Sequence, residues 1–489
     1  MRLTSIVKDL EFDLVQGDLD LDLDVDAVAF DSREVTPKCV FVAISGFTVD
    51  GHSFIPKAVH QGATVIVVEK DVQIDHAVTV LKVRDTRDAL ALLSANFYGK
   101  PTDQLNMIGI TGTNGKTSIS YFMKSILEKA GKQVGVIGTI GTMIGDQLKK
   151  NKNTTPESLY LQQIFADMVS SDISHCVMEV SSHALNLKRV AYSRFHTGIF
   201  TNLTPDHLEL HNSMEEYFEA KSQLFQLTSD YNIINADDPY GRRLIDKVKH
   251  YKSKLITYGI NHKADVYASN IRYSIDSTIY NAHTPAGSIE IKVNLPGEIY
   301  VLNSLAAIAC AYCSGIDLEV IKEGIQAVEG IKGRMEVVYK DKSNLVIVDF
   351  AHTEDSLEKA LLTLRPYAKG RIILVFGVYA AAGELGRDKR SSMGKVAAKH
   401  ADLSIVTSDN PKDQDPDVII TEIVASMEAA GGSYKAIVDR KEAIEYALSI
   451  RQKDDIILIT GKGHETTQII GKTEIPFNEA EIVNEFIKR

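Results

Sequence analysis

Apolar residues along the chain recur with two periods, which predict alternating strands and helices. Short, nearly continuous apolar runs lie at 40–44, 63–68, 107–110 and 134–140. Apolar residues at 119, 122, 123, 126 and 127 follow helical spacing, and a glycine at 131 is a candidate for the end of that helix. A further helix is predicted at 54–61. Short buried strands that alternate with amphipathic helices are typical of an α/β fold.

A different pattern lies near the N-terminus, where aspartate alternates with leucine or valine from Asp18 to Asp26. Alternation with a period of two predicts a half-buried strand with one acidic face. The sequence favours a solvated face for these aspartates over a metal site.

The run from Met107 to Ser118 reads as a buried strand that turns through glycines into a helix. Its ending, Gly115-Lys116-Thr117, is that of a phosphate-binding loop, in which backbone N–H groups and a lysine hold phosphate and a hydroxyl holds Mg²⁺. Ile110 stands where the usual first glycine would be. The context of strand, loop and helix favours nucleoside triphosphate binding over a glycine-rich turn that binds nothing.

Four further places in the chain carry candidate chemistry that local sequence alone leaves open. Residues 153–157 (Asn-Thr-Thr-Pro-Glu) predict a helix N-cap with proline near the first turn, or hydroxyls presented to a ligand. Glu179 ends a predicted strand, where it either reaches Mg²⁺ or is an exposed carboxylate. Ser32 and Arg33 suit a phosphate or a surface salt bridge equally. Lys221, in a predicted helix at 217–225, is by itself a solvated lysine.

The last third of the chain repeats the alternation, with strands predicted at 345–349, 371–376, 403–407 and 455–460. In open α/β sheets, ligands bind outside the carboxyl ends of the strands. We therefore predict a doubly wound unit whose strand ends line one site facing the phosphate loop. These ends are Asp349–His352, Gly377, Ser408–Pro411 and Gly461–Glu465.

Length and pattern divide the chain into three predicted domains, at 1–103, 104–333 and 334–489, because 489 residues suffice for about three domains. Residues 255–293 are predicted to be rich in β-structure.

A net charge of −11 argues against nucleic acid as the main partner. The chain lacks an apolar run of transmembrane length and a signal-peptide pattern, and Cys310 and Cys313 suit a helix core, so we expect a protein of the reducing cytoplasm.

Nine motifs in order resemble those of the Mur ligase family over essentially the whole chain. They are Thr111–Ser118, Asn153–Pro156, Glu179–His183, Asn202–His207, Ala220-Lys221 with Leu224-Phe225, Gly333–Glu336, Asp349–Thr353, Asp409–Pro411 and Gly461–Glu465. Each motif is modest evidence alone, and the nine together identify the chain as a member of this family.

The resemblance implies an ATP-dependent amide ligase of peptidoglycan precursor synthesis. Its N-terminal domain would bind UDP, its central domain would be of the P-loop ATPase type, and its C-terminal domain would be Rossmann-like and hold an amino acid. The D-Glu carboxylate of UDP-N-acetylmuramoyl-L-Ala-D-Glu would attack the γ-phosphate of ATP, and an amino group would then displace phosphate from the acyl phosphate. Phosphoryl transfer of this kind needs positioning and charge neutralisation.

The resemblance also assigns roles to residues. The catalytic group would be Lys116, Lys221, His207 and Glu179, with two Mg²⁺ ions held through Thr117, Glu179, His207 and Lys221. In the family, a lysine matching Lys221 is carbamylated by CO₂ to N6-carboxylysine, which converts a cation into an anion. ATP would contact Gly112, Thr113, Asn114, Gly115, Lys116, Thr117, Ser118, Asn303, Arg334, Asp349 and His352. The muramoyl peptide would contact Ser32, Asn153, Thr154, Thr155, Ser182 and Arg189, and the amino acid would contact Arg387, Asp409, Asn410, Lys412, Gly461 and Glu465.

Three departures from the family pattern bear on specificity. Tyr300 replaces an asparagine common near the adenine, and the turn after Gly377 is lengthened to Val378–Gly386. Lys412 replaces the arginine usual in members that add meso-diaminopimelate, whereas members that add L-lysine usually carry a small or neutral residue there. Because Lys412 would attract a distal carboxylate and repel a distal ammonium, we favour meso-diaminopimelate over L-lysine. A paralog that adds another amino acid remains an alternative.

Two other functions fit parts of the sequence. A ligase like folylpolyglutamate synthase would share the phosphate loop, but the separate N-terminal unit and the Asn153–Pro156 segment argue against it. A degenerate, non-enzymatic binding protein would share the fold, but the intact set of Lys116, Glu179, His207 and Lys221 argues against that. We expect a monomer with no nucleic-acid or membrane partner.

Overall fold

The computed structural model describes residues 1–46, 49–145, 147–206, 208–381 and 383–489. Strands and helices alternate, and the strands form three main sheets that follow one another along the chain. The predicted α/β class with three sheet-based domains is therefore confirmed. The exact boundaries remain predictions, although residues 103–104 and 333–334 fall between sheets. No helix in the described ranges is long and apolar enough to cross a membrane.

The N-terminal domain has one sheet with apolar side chains on both faces. Its elements are α1 (Leu3–Ile6), β1 (Asp13–Gln16), β2 (Ala27–Ala29), β3 (Cys39–Val42), α2 (Ile55–His60), β4 (Ala63–Val68), β5 (Thr79–Lys82) and α3 (Thr86–Phe97). The strand order is β1-β5-β4-β3-β2. β2 to β5 are parallel and β1 is an antiparallel edge. Valine and isoleucine alternate between two buried clusters, one on each face.

The predicted acidic strand at residues 18–26 is wrong. This segment forms turns and irregular chain, and the next strand begins only at Ala27. The carbonyls of Leu21 and Leu23 accept hydrogen bonds from amides at the start of α1 rather than from a strand. Aspartate is depleted in strands because its side chain competes for backbone N–H groups, as Asp20 does here by accepting from the amide of Asp22.

The central domain is built on a mixed sheet with the phosphate-loop strand in its middle. The first elements are β6 (Asn106–Thr111), α4 (Lys116–Lys129), β7 (Val134–Gly138), β8 (Gly141–Ile144), β9 (Gln147–Lys149), α5 (Ser158–Ser170), β10 (His175–Glu179), α6 (Ser182–Asn186), β11 (Phe195–Phe200), α7 (Leu208–His211) and α8 (Met214–Ser222). β6 pairs in parallel with β10 and β11. The carboxyl ends of the three strands therefore meet at one edge, where the candidate residues of this domain lie.

The rest of the central domain extends the sheet and covers it. Its elements are β12 (Thr228–Asn235), α9 (Pro239–Val248), β13 (Lys254–Gly259), β14 (Val266–Tyr273), β15 (Thr278–Thr284), β16 (Gly287–Val293), α10 (Glu298–Cys313) and α11 (Leu318–Gln326). The strand order is β16-β15-β14-β13-β12-β11-β6-β10-β7-β8-β9. β14 to β16 are antiparallel, which confirms the β-rich subregion. Cys310 is fully buried in α10, Cys313 is partly buried, and neither forms a disulfide.

The C-terminal domain is a doubly wound sheet, as predicted. Its elements are β17 (Glu336–Lys340), β18 (Leu345–Asp349), α12 (Glu354–Leu364), β19 (Ile372–Phe376), α13 (Gly383–His400), β20 (Leu403–Val406), α14 (Pro416–Ala429), β21 (Tyr434–Ala436), α15 (Arg440–Ser449), β22 (Ile456–Thr460), β23 (Thr467–Ile470), β24 (Thr473–Pro476) and α16 (Glu479–Lys488). The strand order is β17-β18-β22-β19-β20-β21. All neighbours from β18 through β22, β19 and β20 to β21 pair in parallel. β23 and β24 form a separate hairpin.

Two helix starts differ from the sequence-based expectation. The N-cap of α5 is Glu157, so Pro156 precedes the cap instead of occupying the first turn. The predicted loop Val378–Gly386 is partly helical, because α13 begins at Gly383. Glutamate and leucine at the next two positions are good helix formers, which explains why the lengthened turn ends early.

Candidate functional site

The phosphate loop joins the end of β6 to the start of α4. Gly112 and Gly115 both have positive φ, of 145° and 94°. A Cβ at Gly112 would lie 1.8 Å from Oγ1 of Thr201, and one at Gly115 would lie 2.4 Å from Oδ1 of Asn303. Glycine is therefore required at both positions for the backbone to pack this closely. The loop has the predicted context of strand, turn and helix.

Lys116 turns its side chain back into the loop that carries it. Its Nζ donates to the carbonyls of Gly112 and Thr113, at 2.9 Å each. Burial lowers the pKa of Lys116, while the carboxylates of Glu179 and Asp206 act in the opposite direction. A cation is thus held where the loop amides and the N-terminus of α4 create a site for an anion.

Lys221 is brought to the same loop by α8, although its sequence context predicts a solvated lysine. Its side chain is buried, and Nζ donates to the carbonyl of Gly112 at 2.9 Å. The ammonium also lies 4.5 Å from the ring centroid of Tyr217. Burial, and after it the nearby Lys116 ammonium, lowers the pKa of Lys221 well below its ordinary value.

Glu179 lies at the end of β10 with its carboxylate buried. Its two oxygens accept hydrogen bonds from the amide and the hydroxyl of Thr139, at 3.2 and 2.9 Å. Glu179 is therefore not the exposed strand-end carboxylate that the sequence left open. The hydroxyl of Thr117 lies in the same cavity and accepts from Nη2 of Arg334 at 3.3 Å.

These residues fit a Mg²⁺ ion that is held partly by a nucleotide. The described part of the chain contains no group of three or more histidine, cysteine or acidic residues arranged to hold a metal. Mg²⁺ is commonly held by one or two carboxylates together with substrate phosphates, and Glu179 and the Thr117 hydroxyl suit that arrangement. His207, another predicted ligand, lies outside the described residues.

The C-terminal domain closes the other side of the phosphate loop. A cavity of about 260 Å³ lies between them and is lined by the loop together with Asn303, Arg334, Asp349 and His352. These four predicted ATP contacts are thus brought together. Across the same boundary, Nδ2 of Asn114 donates to Oδ2 of Asp355 at 3.1 Å.

Asp349 and Arg334 are each fixed by neighbouring groups. The Asp349 carboxylate accepts from the amides of Met335 and Ala351, at 2.7 Å each, and burial raises its pKa. The Arg334 guanidinium lies 4.6 Å from the ring centroid of Phe350. Both side chains therefore approach the phosphate loop in defined positions.

Tyr300, one of the departures from the family pattern, is buried in the wall of this cavity. Burial raises the pKa of its hydroxyl well above the ordinary value, so the hydroxyl stays protonated. A second cavity of about 710 Å³ shares Asn303 and Ile299 with the first and is also lined by Tyr273 and Tyr367. The phosphate loop therefore opens toward a larger space with aromatic walls.

One cross-domain contact was missed by the sequence analysis. Nζ of Lys389, in α13, lies 3.3 Å from Oδ1 of Asp206 in the central domain and 2.9 Å from the hydroxyl of Tyr379. His352 lies 3.9 Å from the other oxygen of Asp206. The Asp206 carboxylate and Tyr379 raise the pKa of Lys389 although burial opposes them. The only sequence signal was the position of Asp206 beside His207.

The remaining strand ends of the C-terminal domain form a second polar group. Nζ of Lys462 donates to Oδ1 of Asn410 at 3.0 Å and to Oε2 of Glu465 at 2.8 Å. Nδ2 of Asn410 donates to the same Glu465 oxygen at 3.2 Å. Gly461 packs against the Asp409 carboxylate. Asp409, Asn410, Gly461 and Glu465 are therefore brought together as predicted.

The prediction that all four strand ends line one site needs correction. Asp349–His352 lines the cavity of the phosphate loop, whereas Gly377 and Ser408–Pro411 pack beside Gly461–Glu465. Gly461–Glu465 adjoins both, because the Gly461 amide donates to the Asp349 carbonyl at 3.2 Å and the ring centroids of His464 and Phe350 lie 4.8 Å apart. The amide of Ala380 donates to the carbonyl of Asn410 at 3.0 Å, which brings the lengthened turn to this second group. The strand ends thus form two adjoining groups rather than one.

Two predicted amino-acid contacts are exposed. Lys412 has a φ of 50°, and its amide donates to the carbonyl of Ile469 at 3.2 Å, with its side chain in solvent. Arg387 lies on α13 with an exposed side chain, and among the described residues no hydrogen bond or ion pair joins it to Asp409, Asn410 or Glu465. The structure does not bring Arg387 into the group.

The residues predicted to contact the muramoyl peptide divide between the central domain and the N-terminal domain. Nη1 of Arg189 donates to the carbonyl of Thr155 at 3.0 Å, and Oγ of Ser182 lies 2.8 Å from Nε2 of His211. Thr154 lines the cavity of the phosphate loop, so a hydroxyl of this segment does face the site. Asn153 is exposed, and Ser32 is buried in the N-terminal domain, outside that cavity. Arg33 forms a surface salt bridge with Asp31, which is one of the two roles that the sequence allowed for it.

Three family models match the chain in succession. They describe a Mur ligase family catalytic domain at residues 24–98, a Mur ligase middle domain at 110–311 and a Mur ligase glutamate ligase domain at 333–463. Together they cover most of each structural domain, in the order that the sheets follow.

Two relatives that are similar over the full length share one name. UDP-N-acetylmuramoyl-L-alanyl-D-glutamate--2,6-diaminopimelate ligases from Alkaliphilus metalliredigens and Clostridioides difficile are both 43% identical to this chain. The matches cover 100% of this chain and 98% and 100% of those proteins. A solved structure of a ligase with the same name matches with a TM-score of 0.71 at 28% identity, covering 100% of this chain and 99% of that one.

Proposed function

The chain belongs to the Mur ligase family, and we propose that it joins meso-diaminopimelate to the D-Glu carboxylate of UDP-N-acetylmuramoyl-L-Ala-D-Glu at the expense of ATP. The observation that carries this proposal is the cavity in which the phosphate loop faces Arg334, Asp349 and His352 of the C-terminal domain. Full-length similarity to ligases of that name supports the substrates. The product would serve peptidoglycan precursor synthesis.

In the first step, a carboxylate oxygen of the peptide attacks the γ-phosphorus and ADP leaves. The loop amides, Lys116 and Arg334 hold the phosphates and offset the charge that spreads over their oxygens. Lys116 would exchange its loop carbonyls for phosphate oxygens, because a charge-assisted bond is stronger than one to a neutral carbonyl. Gly112 to Ser118 and Asn303 complete the proposed ATP contacts, with the base in the larger adjoining cavity.

In the second step, the amino group of the incoming amino acid attacks the acyl carbon. The new C–N bond forms, the bond from carbon to the phosphate oxygen breaks, and the nitrogen loses its proton. Asp409, Asn410, Gly461 and Glu465 would hold the amino acid, since they lie together at the strand ends beside the cavity. Arg387 would join them only if α13 moves. Closure around the acyl phosphate would exclude water.

Mg²⁺ would be held by Thr117, Glu179 and phosphate oxygens, with His207 and Lys221 supporting a second ion. When bound, Mg²⁺ neutralises phosphate charge. We propose that Lys221 acts as N6-carboxylysine, formed with CO₂. Its burial at the loop supports this modification, because a carbamate would supply a second anion where the described residues offer few ligands.

Specificity for meso-diaminopimelate over L-lysine would depend on Lys412. This exposed ammonium follows Asp409 and Asn410 in the same strand-end segment and would pair with a distal carboxylate. A distal ammonium would be repelled. The peptide substrate would contact Ser32, Asn153, Thr154, Thr155, Ser182 and Arg189. We further propose domain boundaries at 103–104 and 333–334, a monomer, and a cytoplasmic location where ATP and UDP-linked precursors are made.

An amino-acid panel tests the proposal. Phosphate release is measured with ATP, Mg²⁺, UDP-N-acetylmuramoyl-L-Ala-D-Glu and either meso-diaminopimelate, L-lysine or other amino acids. We expect release with meso-diaminopimelate, an increase in its KM in Lys412→Ala and near-normal activity in Lys412→Arg. Turnover of L-lysine with inert meso-diaminopimelate would overturn the specificity. Activity with a folate and glutamate instead would indicate the other ligase class.

A further inference from the structure

Lys462 is a buried cation within the strand-end segment that carries Gly461 and Glu465. Its side chain is 0% exposed, so it lies beneath the surface that a ligand would meet. Both described partners of its ammonium are residues proposed to touch the incoming amino acid, Asn410 and Glu465. A lysine in this place can act on the substrate only through these two side chains.

The first effect of Lys462 is to fix the amide of Asn410. Oδ1 of Asn410 accepts from Nζ of Lys462 and from the amide of Ile469, at 3.0 Å each. Two donors at one oxygen exclude the flipped amide, because its NH₂ group would then face both of them. Nδ2 must therefore point to Glu465, as it does at 3.2 Å.

The second effect is to orient the Glu465 carboxylate. Oε2 accepts hydrogen bonds from both Nζ of Lys462 and Nδ2 of Asn410, whereas no described residue donates a hydrogen bond to Oε1. The Glu465 side chain is 34% exposed, so Oε1 is available to accept an N–H group from a ligand. One oxygen is thus tied to the protein and the other is presented outward.

A purely stabilising role is a weaker explanation for this cation. Burying an ammonium costs more than its ion pair usually returns, and an apolar residue of similar volume is often as stable. We propose that Lys462 is a positioning residue for the incoming amino acid. It fixes Asn410 and, both directly and through Asn410, holds Glu465 so that Oε1 of Glu465 accepts a hydrogen bond from the ammonium of that amino acid. This inference rests on the proposed ligase function.

The test compares Lys462→Met and Lys462→Gln with the wild-type enzyme in the phosphate-release assay. We expect the KM for meso-diaminopimelate to rise roughly 10- to 100-fold in Lys462→Met and less in Lys462→Gln, which keeps a donor. The KM values for ATP and for the UDP-linked peptide should change less than about threefold. Lys472→Met, at an exposed lysine of the neighbouring hairpin, is the matched control and should leave all three KM values unchanged.

A double-mutant cycle with Glu465→Gln separates positioning from general damage. If Lys462 acts through Glu465, the two effects on the KM for the amino acid are strongly non-additive. Additive effects, or equal rises in all three KM values, would overturn the inference. Thermal unfolding checks each variant, and if Lys462→Met does not fold, the cycle is run with Lys462→Gln. Turnover by the wild-type enzyme tests the proposed function itself. The ratio of the variant's KM for the amino acid to that of the wild-type enzyme tests the role of Lys462.

Discussion

Lys389 of the C-terminal domain reaches Asp206 of the central domain, with 3.3 Å between Nζ and Oδ1. The side chains are 16% and 5% exposed, so the pair is largely shielded from water. It lies beside the end of the phosphate loop, where Asp206 lines the cavity. The contact therefore links the positions of two domains at the place where both must meet the nucleotide.

Replacing Lys389 should impair closure of the site. We expect Lys389→Met to lower kcat roughly 10- to 100-fold, because misplaced reacting groups lose that much rate, and to expand the molecule in small-angle scattering with ATP and peptide bound. Lys399→Met, on the same helix at an exposed lysine that pairs with Glu358, is the control and should behave as wild type. A compact Lys389→Met enzyme with normal kcat would contradict the role of the pair.

The phosphate loop could be predicted from sequence because its signal is local. Gly112, Gly115, Lys116 and Thr117 lie within six residues, and the flanking strand and helix have clear periods. The acidic alternation at 18–26 was also local but misleading, since aspartate favours turns over strands. Local patterns succeed where backbone conformation and side-chain chemistry agree.

Contacts between distant segments were beyond sequence reasoning. Lys389 and Asp206 are 183 residues apart, and their meeting depends on how two domains are placed. Lys221 was singled out only by family resemblance, since a helix lysine is ordinarily solvated, and its burial follows from the packing of α8 against the loop. Lys462 was passed over although it lies inside a motif, because nothing in the motif shows that its side chain turns inward.

Removing the Lys221 amine should abolish most turnover. We expect Lys221→Ala to lose at least about 100-fold in kcat, which corresponds to about 2.7 kcal/mol of barrier, and acetate to restore part of it by supplying an anion in the vacated space. Phosphate release with and without acetate is the measurement, and Lys129→Ala, on α4, is the control. Undiminished turnover in Lys221→Ala without acetate would exclude the proposed role.

A methyl group at Gly112 should close the phosphate site. The added Cβ of Gly112→Ala would overlap Oγ1 of Thr201, and a φ of 145° adds strain on the order of 1–3 kcal/mol. We expect ATP affinity, measured by calorimetry, to fall at least about 10-fold. Gly330→Ala, where no atom lies within 4 Å of the added carbon, should bind ATP normally. Equal affinities of the two variants would show that the loop adapts.

Acid should destabilise the central domain through His175. Burial lowers its pKa to about 4 from an ordinary value of 6.5, with smaller contributions from Lys132 and His196. Between these pH values the unfolded chain binds a proton and the folded protein does not, so stability present above pH 6.5 is lost as the pH falls toward 4.

Urea unfolding at several pH values between 7 and 4 measures this effect. We expect His175→Gln to show a smaller fall in midpoint over that range than the wild-type protein. His60→Gln, at an exposed histidine of α2, should follow the wild-type curve. Parallel curves for wild type and His175→Gln would show that other groups cause the acid sensitivity.

The Arg440–Glu479 pair lies in the C-terminal core and supports the residues proposed to bind the incoming amino acid. Both side chains are 0% exposed, with 2.6 Å between Nη2 of Arg440 and Oε1 of Glu479. Arg440 also donates to the carbonyls of Ser408 and Thr460, which precede Asp409 and Gly461. It therefore ties together the ends of β20 and β22, from which the proposed amino-acid contacts project.

Breaking this pair should cost more than removing it. Arg440→Met leaves a buried carboxylate without its cation, and we expect the free energy of unfolding to fall by about 3–5 kcal/mol, measured by urea denaturation. The double variant Arg440→Met/Glu479→Met buries no charge and should recover most of that loss. Its KM for the amino acid should nevertheless stay raised, because the carbonyls of Ser408 and Thr460 still lack their donor. A double variant with normal KM would confine Arg440 to stability alone.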